Sequence, residues 1–294
     1  MAFNTALLAG AATITNAEFQ AIMQFISNVL QTGGVTKTAD TGQINTGSAA
    51  WPGSNNTAAG YEIRQFTDTL AATHPILIKW EYGRGGAANQ VSIWYTIGTG
   101  SDGAGNITNV RVARTQLMTT TTPVSPGEAC YVYADNNRFS FIMFNTSAQS
   151  NPLIFGIERT LDASKTYVSD GVLTYWRMGN TSSFGFRFVP YTGVVPAEET
   201  LGCCFPPGLQ TTGLHSDGNV AVYPCYFYGI GETKIPFTLF VGHFVGDFTG
   251  GNTYTVEVLG TNQIMVAMYA ATNPKLQRGT TPSSSVFSGM MRYE

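Results

Sequence analysis

Residues 94–106 read WYTIGTGSDGAGN, and Gly98, Gly100, Gly103 and Gly105 are spaced closely enough to raise the question of an ion-cradling loop. A phosphate loop requires G-x-x-x-x-G-K-[ST] at a strand-to-helix turn, because the lysine and the helix N-terminus hold the phosphates. No lysine follows here, and the next segment, ITNVRVART, has the β-branched texture of a strand. A calcium loop requires carboxylates at alternating positions and a closing glutamate, whereas this window offers only Asp102. The stretch therefore predicts a hairpin tip in which Gly103 and Gly105 supply positive φ angles.

The remaining chemistry-bearing residues are scattered. His74, His215 and His243 form no H-x-H or H-x-x-x-H pair, so the spacing assigns no metal site. His215, Ser216 and Asp217 have the residue types of a hydrolase triad, but sequence neighbours cannot form one, and there is no G-x-S-x-G elbow. Glu62, Glu81, Glu158, Asp162 and Glu257 are the carboxylates that a glycosidase would have to pair across a cleft. Glu158-Arg159 reads as a local ion pair at a strand end, and Glu198-Glu199 as a solvated stretch of loop. Cys130, Cys203, Cys204 and Cys225 include no C-x-x-C spacing and read as plain thiols. No catalytic, metal-binding or cofactor-binding residue is assigned, and the chain is expected to be non-enzymatic. Trp80, Tyr82, Trp94, Tyr95, Tyr131, Tyr133, Tyr175, Trp176, Tyr226 and Tyr228 lie in strand-like segments. Such aromatics can stack on sugars, but a sandwich core and subunit interface is the expected use.

Around these residues the sequence predicts one helix and many strands. Residues 15–34 carry Phe19, Ile22, Met23, Ile26, Val29 and Leu30 at three- and four-residue spacing, an apolar stripe. Thr15 or Asn16 can cap its start, Glu18 suits the first turn, and Gly33-Gly34 end it. The stripe must be covered by the chain's own domain or by a neighbouring subunit. Phe19, Ile22, Met23, Ile26 and Leu30 are the candidate assembly contact. Deleting residues 1–34 is accordingly expected to leave a soluble β-domain unable to assemble. Residues 35–60 are small, polar and turn-rich, with Trp51-Pro52 as the one anchor, and read as an extended arm or a long surface loop.

Strands are predicted at 60–67, 75–83, 90–98, 107–115, 129–135, 138–145, 152–159, 171–178, 184–191, 220–229, 237–244, 253–259 and 263–269. Phe139, Phe141 and Met143 share one face of their strand, as do Phe184, Phe186 and Phe188 of theirs. Asp135-Asn136-Asn137, Asp170-Gly171 and Gly250-Gly251-Asn252 read as turns. The expected fold is all-β, an antiparallel, jelly-roll-like β-sandwich over 60–294 behind an N-terminal helix and arm over 1–59. The Pro-rich segment 190–213 either is a long loop or divides two sub-sandwiches, and 272–294 reads as a C-terminal arm.

Charged residues make up only 11% of the 294, the net charge is −3, and the basic residues are scattered singly. That disfavours nucleic acid as a partner, which needs a clustered positive field. A surface of Thr, Ser, Asn, Gly and Tyr is expected where neighbours cover it, because burying unpaired charge is costly. The N-terminal apolar run lacks a preceding basic residue, and no membrane span is predicted.

Three segments, GYEIRQFTDTLAATHPILIKWEYG, SIWYTIGTGSDGAGNIT and FGIERTLDASKT, together resemble virion structural proteins of tailed bacteriophages across residues 60–165. The resemblance implies a non-enzymatic structural component of the tail, collar or baseplate region that binds no cofactor. It would form a homo-oligomer and dock to other virion proteins, assembling into the virion in the cytoplasm of the host bacterium. Its alternative within the same resemblance is a host-receptor- or glycan-binding fibre, or a capsid decoration protein.

Overall fold

A computed structural model describes residues 13–117, 130–143, 153–162, 164, 166–177, 184–195, 222–228, 234–243, 253–258, 260–267 and 289–292. Helix α1 spans Asn16–Thr32. Thr15 caps it: the Glu18 amide donates to Thr15 Oγ1 at 3.3 Å, and the Thr15 amide donates back to the Glu18 carboxylate at 2.8 Å. This reciprocal box satisfies two donors that a helix start otherwise strands.

The strands are antiparallel and form three five-stranded sheets. The first contains β1 (Thr36–Lys37), β2 (Thr57–Gln65), β3 (Leu77–Arg84), β4 (Val91–Ser101) and β5 (Ile107–Gln116), in that order. The second contains β6 (Cys130–Asp135), β7 (Arg138–Met143), β8 (Leu153–Leu161), β9 (Tyr167–Arg177) and β10 (Phe184–Pro190), again in order. The third runs β11 (Val222–Tyr228), β12 (Lys234–His243), β15 (Gly289–Arg292), β14 (Thr261–Ala267), β13 (Thr253–Val258). The all-β class with a small N-terminal helix holds. The connections of the first two sheets differ from the jelly-roll-like expectation: each sheet is an up-and-down meander with sequence neighbours paired.

The first two sheets pack face to face. Trp80 of β3 meets Phe139 and Phe141 of β7 edge-on at 5.6 and 6.1 Å and Phe155 of β8 at 5.3 Å. Tyr95 of β4 lies 4.7 Å from Phe155 and 6.5 Å from Trp176 of β9. Alternation places these rings inward, and T-shaped contacts add to their burial. Every residue of β8 is buried, because the first sheet covers one of its faces and β12 of the third sheet approaches the other. The stack is therefore three layers deep, and the 190–213 break falls between the second and third sheets.

One turn expectation and the C-terminal arm change. Asp170-Gly171 lies within β9, not in a turn: Gly171 sits opposite Pro190 with φ +151°, and a Cβ there would come 2.1 Å from the Val189 carbonyl oxygen. The glycine allows close approach of two strands where the β8–β9 register shifts. The 272–294 arm also contributes β15, a central strand. Asn136-Asn137 does turn the β6–β7 hairpin. Gly250-Gly251-Asn252 lies outside the described residues.

Candidate functional site

The helix stripe lies inside the chain's own core. Phe19, Ile22, Met23, Ile26 and Leu30 are each 0–1% exposed and belong to the same cluster as Trp80, Phe139 and Phe155. The helix closes the side of the sandwich at which β1 and β6 are the edge strands. In this fold the stripe is covered by its own domain, not by a neighbouring subunit. The candidate assembly contact therefore offers no free surface, and removing 1–34 would uncover the core. The arm is likewise tied down. Trp51 stacks edge-on against Phe19 at 5.0 Å, its amide donates to Asn16 Oδ1 at 2.7 Å, and its indole N–H donates to the Ala88 carbonyl at 3.2 Å. Ile44 is buried, and the Ile44 amide donates to the Tyr61 carbonyl at 2.8 Å.

Beneath the helix is the first buried charge cluster. Glu62 and Arg64 alternate with Ile63 on β2, so both point at α1 while Ile63 faces away with Leu77 and Ile107. Arg64 Nη2 pairs with Glu62 Oε2 at 2.9 Å, and Lys37 Nζ lies 3.1 Å from Glu62 Oε1. Ser27 and Tyr82 donate to the same carboxylate at 2.8 and 3.0 Å, and Gln31 accepts from Arg64. Burial pushes the Glu62 carboxyl up, but Arg64, Ser27 and Lys37 outweigh it and hold the group below its usual value. Burial and the same carboxylate drive the Tyr82 hydroxyl well above its usual value.

The second cluster joins the second and third sheets. Glu158 Oε2 accepts from the Thr238 amide at 2.7 Å and the Leu239 amide at 3.3 Å. Its Oε1 accepts from Thr238 Oγ1 at 2.5 Å and Tyr167 Oη at 3.3 Å, with Arg138 Nη1 at 3.5 Å. Arg138 also pairs with Asp135 at 2.7 Å and donates to Thr238 Oγ1. Complete burial pushes the Glu158 carboxyl up, and Arg138 and Thr238 pull against that without cancelling it. Partial burial pulls the Arg138 value down, but Glu158, Tyr167 and Asp135 outweigh it and raise it.

Glu158 and Arg159 do not form the expected local pair. Neighbours on a strand point to opposite faces, and Arg159 instead pairs with Asp68 of the β2–β3 connection. Both of these distant partnerships were invisible to local spacing. Glu81 pairs with Arg114 over the Trp94 ring, Asp162 accepts from the Ser164 and Thr166 amides in a turn, and Glu257 is exposed on β13. His74 packs on Tyr191 at 4.6 Å. His215, Ser216, Asp217, Cys203, Cys204, Glu198 and Glu199 lie outside the described residues. Cys130 is a buried free thiol whose ionisation burial makes harder. Among the described residues no group of three metal-ligating side chains converges, and no helix is long and apolar enough to cross a membrane.

The glycine-rich window forms the β4–β5 hairpin tip as expected, with Gly103 at φ +75° and Gly105 at φ +96°. Asp102 closes it by accepting from the Ala104 and Asn106 amides at 2.8 and 3.0 Å. The arm then grips it. Thr41 donates its amide to the Gly103 carbonyl at 3.0 Å, Asp40 accepts from Ser101 and the Gly105 amide, and Lys79 donates to the Gly105 carbonyl at 2.9 Å. Asp40 sits below its usual value: slight burial raises it, and Ser101, Thr38 and Gly105 pull it down. Of the aromatics considered for sugar stacking, Trp80, Tyr82, Tyr95, Tyr175 and Trp176 are at most 2% exposed, and Trp94, Tyr131 and Tyr133 are buried as well.

These clusters hold helix to sheet, layer to layer and arm to hairpin. Comparison with protein families, curated proteins and solved structures returned no match for the chain.

Proposed function

We propose that the chain is a non-enzymatic structural component of a tailed-phage virion, in the tail, collar or baseplate region, acting by self-association and by docking to other virion proteins. The observation that carries this reading is where the charge goes. Only 11% of residues are charged, and Glu62, Arg64, Asp68, Arg138, Glu158 and Arg159 neutralise one another inside. The surface is correspondingly sparse in charge: the exposed positions of β5 are Thr108, Asn109, Val110, Ala113 and Arg114, one of the five charged, and such a surface can be covered by neighbours with little desolvation of ions. The wording of strands and turns across 60–165 supports the same reading. The test is immunogold labelling of purified particles from a host carrying the gene. Labelling at the tail, collar or baseplate is expected. Particles free of the chain by mass spectrometry would overturn the proposal. Binding of the isolated chain to host cells or to a glycan array would instead favour a receptor-binding fibre or capsid decoration protein.

A further inference from the structure

Among the described residues the three sheets end in six edge strands, and five of these are short, covered, broken or tied. β1 is two residues long, and β6 lies against α1. β5 carries two register shifts and Asn109 at φ +48°. β10 ends in Pro190, whose carbonyl accepts from Arg111 of β5 at 2.9 Å, so these two edges are fastened to each other. β11 contains Pro224 with a register shift beside it. Such features are the usual means of stopping a sheet from growing. β13 has none of them: it pairs with β14 without a break from Thr253↔Val266 to Val258↔Thr261, and no described strand lies beyond it. The connection between the two strands is the two residues 259–260, with Gly260 at φ +82°. In such a hairpin the flanking pair is hydrogen-bonded, and bonded pairs then alternate along the strands. Tyr254, Val256 and Val258 therefore direct their amides and carbonyls to β14, and Thr253, Thr255 and Glu257 direct theirs away from the sheet. The side chains of these three are exposed, whereas Val256 and Val258 are buried. β12 is the strand that meets β8, and β13 stands three strands farther along the sheet, about 14 Å at ~4.8 Å per strand, clear of that joint.

We propose that β13 is the self-association edge of this chain: two copies pair antiparallel through Thr253–Glu257 about a two-fold axis at Thr255, joining their five-stranded third sheets into one continuous sheet. The occupant is a second copy because this strand is complementary to itself reversed. In that register Thr255 faces its own counterpart, and Thr253 faces Glu257 of the other copy. On the opposite face Tyr254 lies beside Val256 of the other copy. Threonine pairs and aromatic–β-branched pairs are favourable across strands, and Glu257 never meets its counterpart, so no like charges stand opposite. The outward groups of Thr253, Thr255 and Glu257 on the two copies make about six main-chain hydrogen bonds. A two-fold uses the same patch on both copies, so assembly through this edge closes at a dimer. A standard interface has roughly 20–30 residues a side, and the six of β13 are far fewer, so the dimer is reversible and its fraction rises with concentration. This inference supplies the contact for the self-association proposed above and rests on that reading. The two fail separately: particles lacking the chain defeat the virion role, whereas a chain that stays monomeric defeats the pairing and leaves docking to other virion proteins standing.

The test is sedimentation velocity of the full chain over a range of concentrations, beside Thr255→Lys and Thr255→Glu, each of which sets like charges opposite one another at an exposed position. The full chain is expected to move from 31.5 kDa toward twice that mass as concentration rises. Each variant is expected to stay a monomer with its β-sheet circular dichroism retained, and an equal mixture of the two to recover the dimer. A full chain that is monomeric throughout, variants that dimerise as the full chain does, or a mixture that stays monomeric overturns the pairing. Should a variant fail to fold, Thr255→Cys and Thr253→Cys decide, each oxidised and digested with disulfides kept intact. A peptide joining position 255 to itself can come only from two copies, and it is expected because hydrogen-bonded partners lie about 5.5 Å apart, within reach of a disulfide. Position 253 faces 257 and is expected to give no such peptide. Absence of the 255 product, or equal yields at both positions, overturns the pairing.

Discussion

Glu62 and Glu158 are both buried carboxylates beside an arginine, and they stand on opposite sides of the ordinary carboxylate value. Arg64 and Lys37 lie 2.9 and 3.1 Å from Glu62, whereas Arg138 is 3.5 Å from Glu158. The signs for stability follow. Glu62 is lower folded than unfolded, so its contribution is present above the unfolded value and lost as pH falls through the folded one. Glu158 is higher folded than unfolded, so its contribution is present below the unfolded value and lost as pH rises through the folded one. Urea midpoints measured across pH are expected to lose part of their acid-side fall in Glu62→Gln, and part of their decline toward neutral pH in Glu158→Gln. Glu62→Ala leaves Arg64 buried against fewer partners and is expected to cost about 3–5 kcal/mol. Gly105→Ala meets a positive φ and a Tyr61 hydroxyl 1.8 Å from the new Cβ, so a loss of about 1–2 kcal/mol or more in thermal or urea unfolding is expected. The glycines were legible in the sequence because a hairpin tip is a local demand. The carboxylates were not, because Glu158 finds its partner on Thr238 and Arg159 finds Asp68, both far along the chain.

At the scale of elements, α1 was legible from its stripe and its cap, and the strands from their β-branched and aromatic texture. β1 and β15 were not, since two and four residues are too few to display a period. Asp170-Gly171 misled because its dipeptide is a strong turn signal, whereas here the glycine serves an approach of backbones within β9. What covers the stripe could not be read from the stripe itself: an apolar face fits an edge of its own sandwich as well as a neighbour. The seat found makes the helix a structural part of the domain. Thr15→Ala removes the cap at a cost of about 1 kcal/mol. Ile26→Ala empties a fully buried site and is expected to cost about 2–5 kcal/mol. Chemical unfolding followed by circular dichroism measures both, and near-neutral effects at both sites would contradict this seating of the helix.

Over the whole molecule, the stack depends on joints between layers that differ in kind. The first two sheets meet through aromatic rings, and the third meets the second through Glu158 and the amides of Thr238 and Leu239. Glu158→Ala is therefore expected to loosen the third sheet selectively. Limited proteolysis followed by mass spectrometry should show cleavage within 222–292 at protease levels that leave 36–177 whole, and uniform cleavage of both regions would refute a separable layer. The order of the elements also has a consequence in time. Helix α1 is synthesised before β6, yet β6 is one wall of its seat, against which Gly33 lies so close that a Cβ would come 2.4 Å from the Ala134 carbonyl oxygen. Roughly a hundred residues separate the two, which at ~5–20 residues per second is about 5–20 s of translation. For that interval the ribosome presents a finished amphipathic helix whose greasy side has only part of its cover, and the nascent chain is at its most adhesive before its second sheet exists.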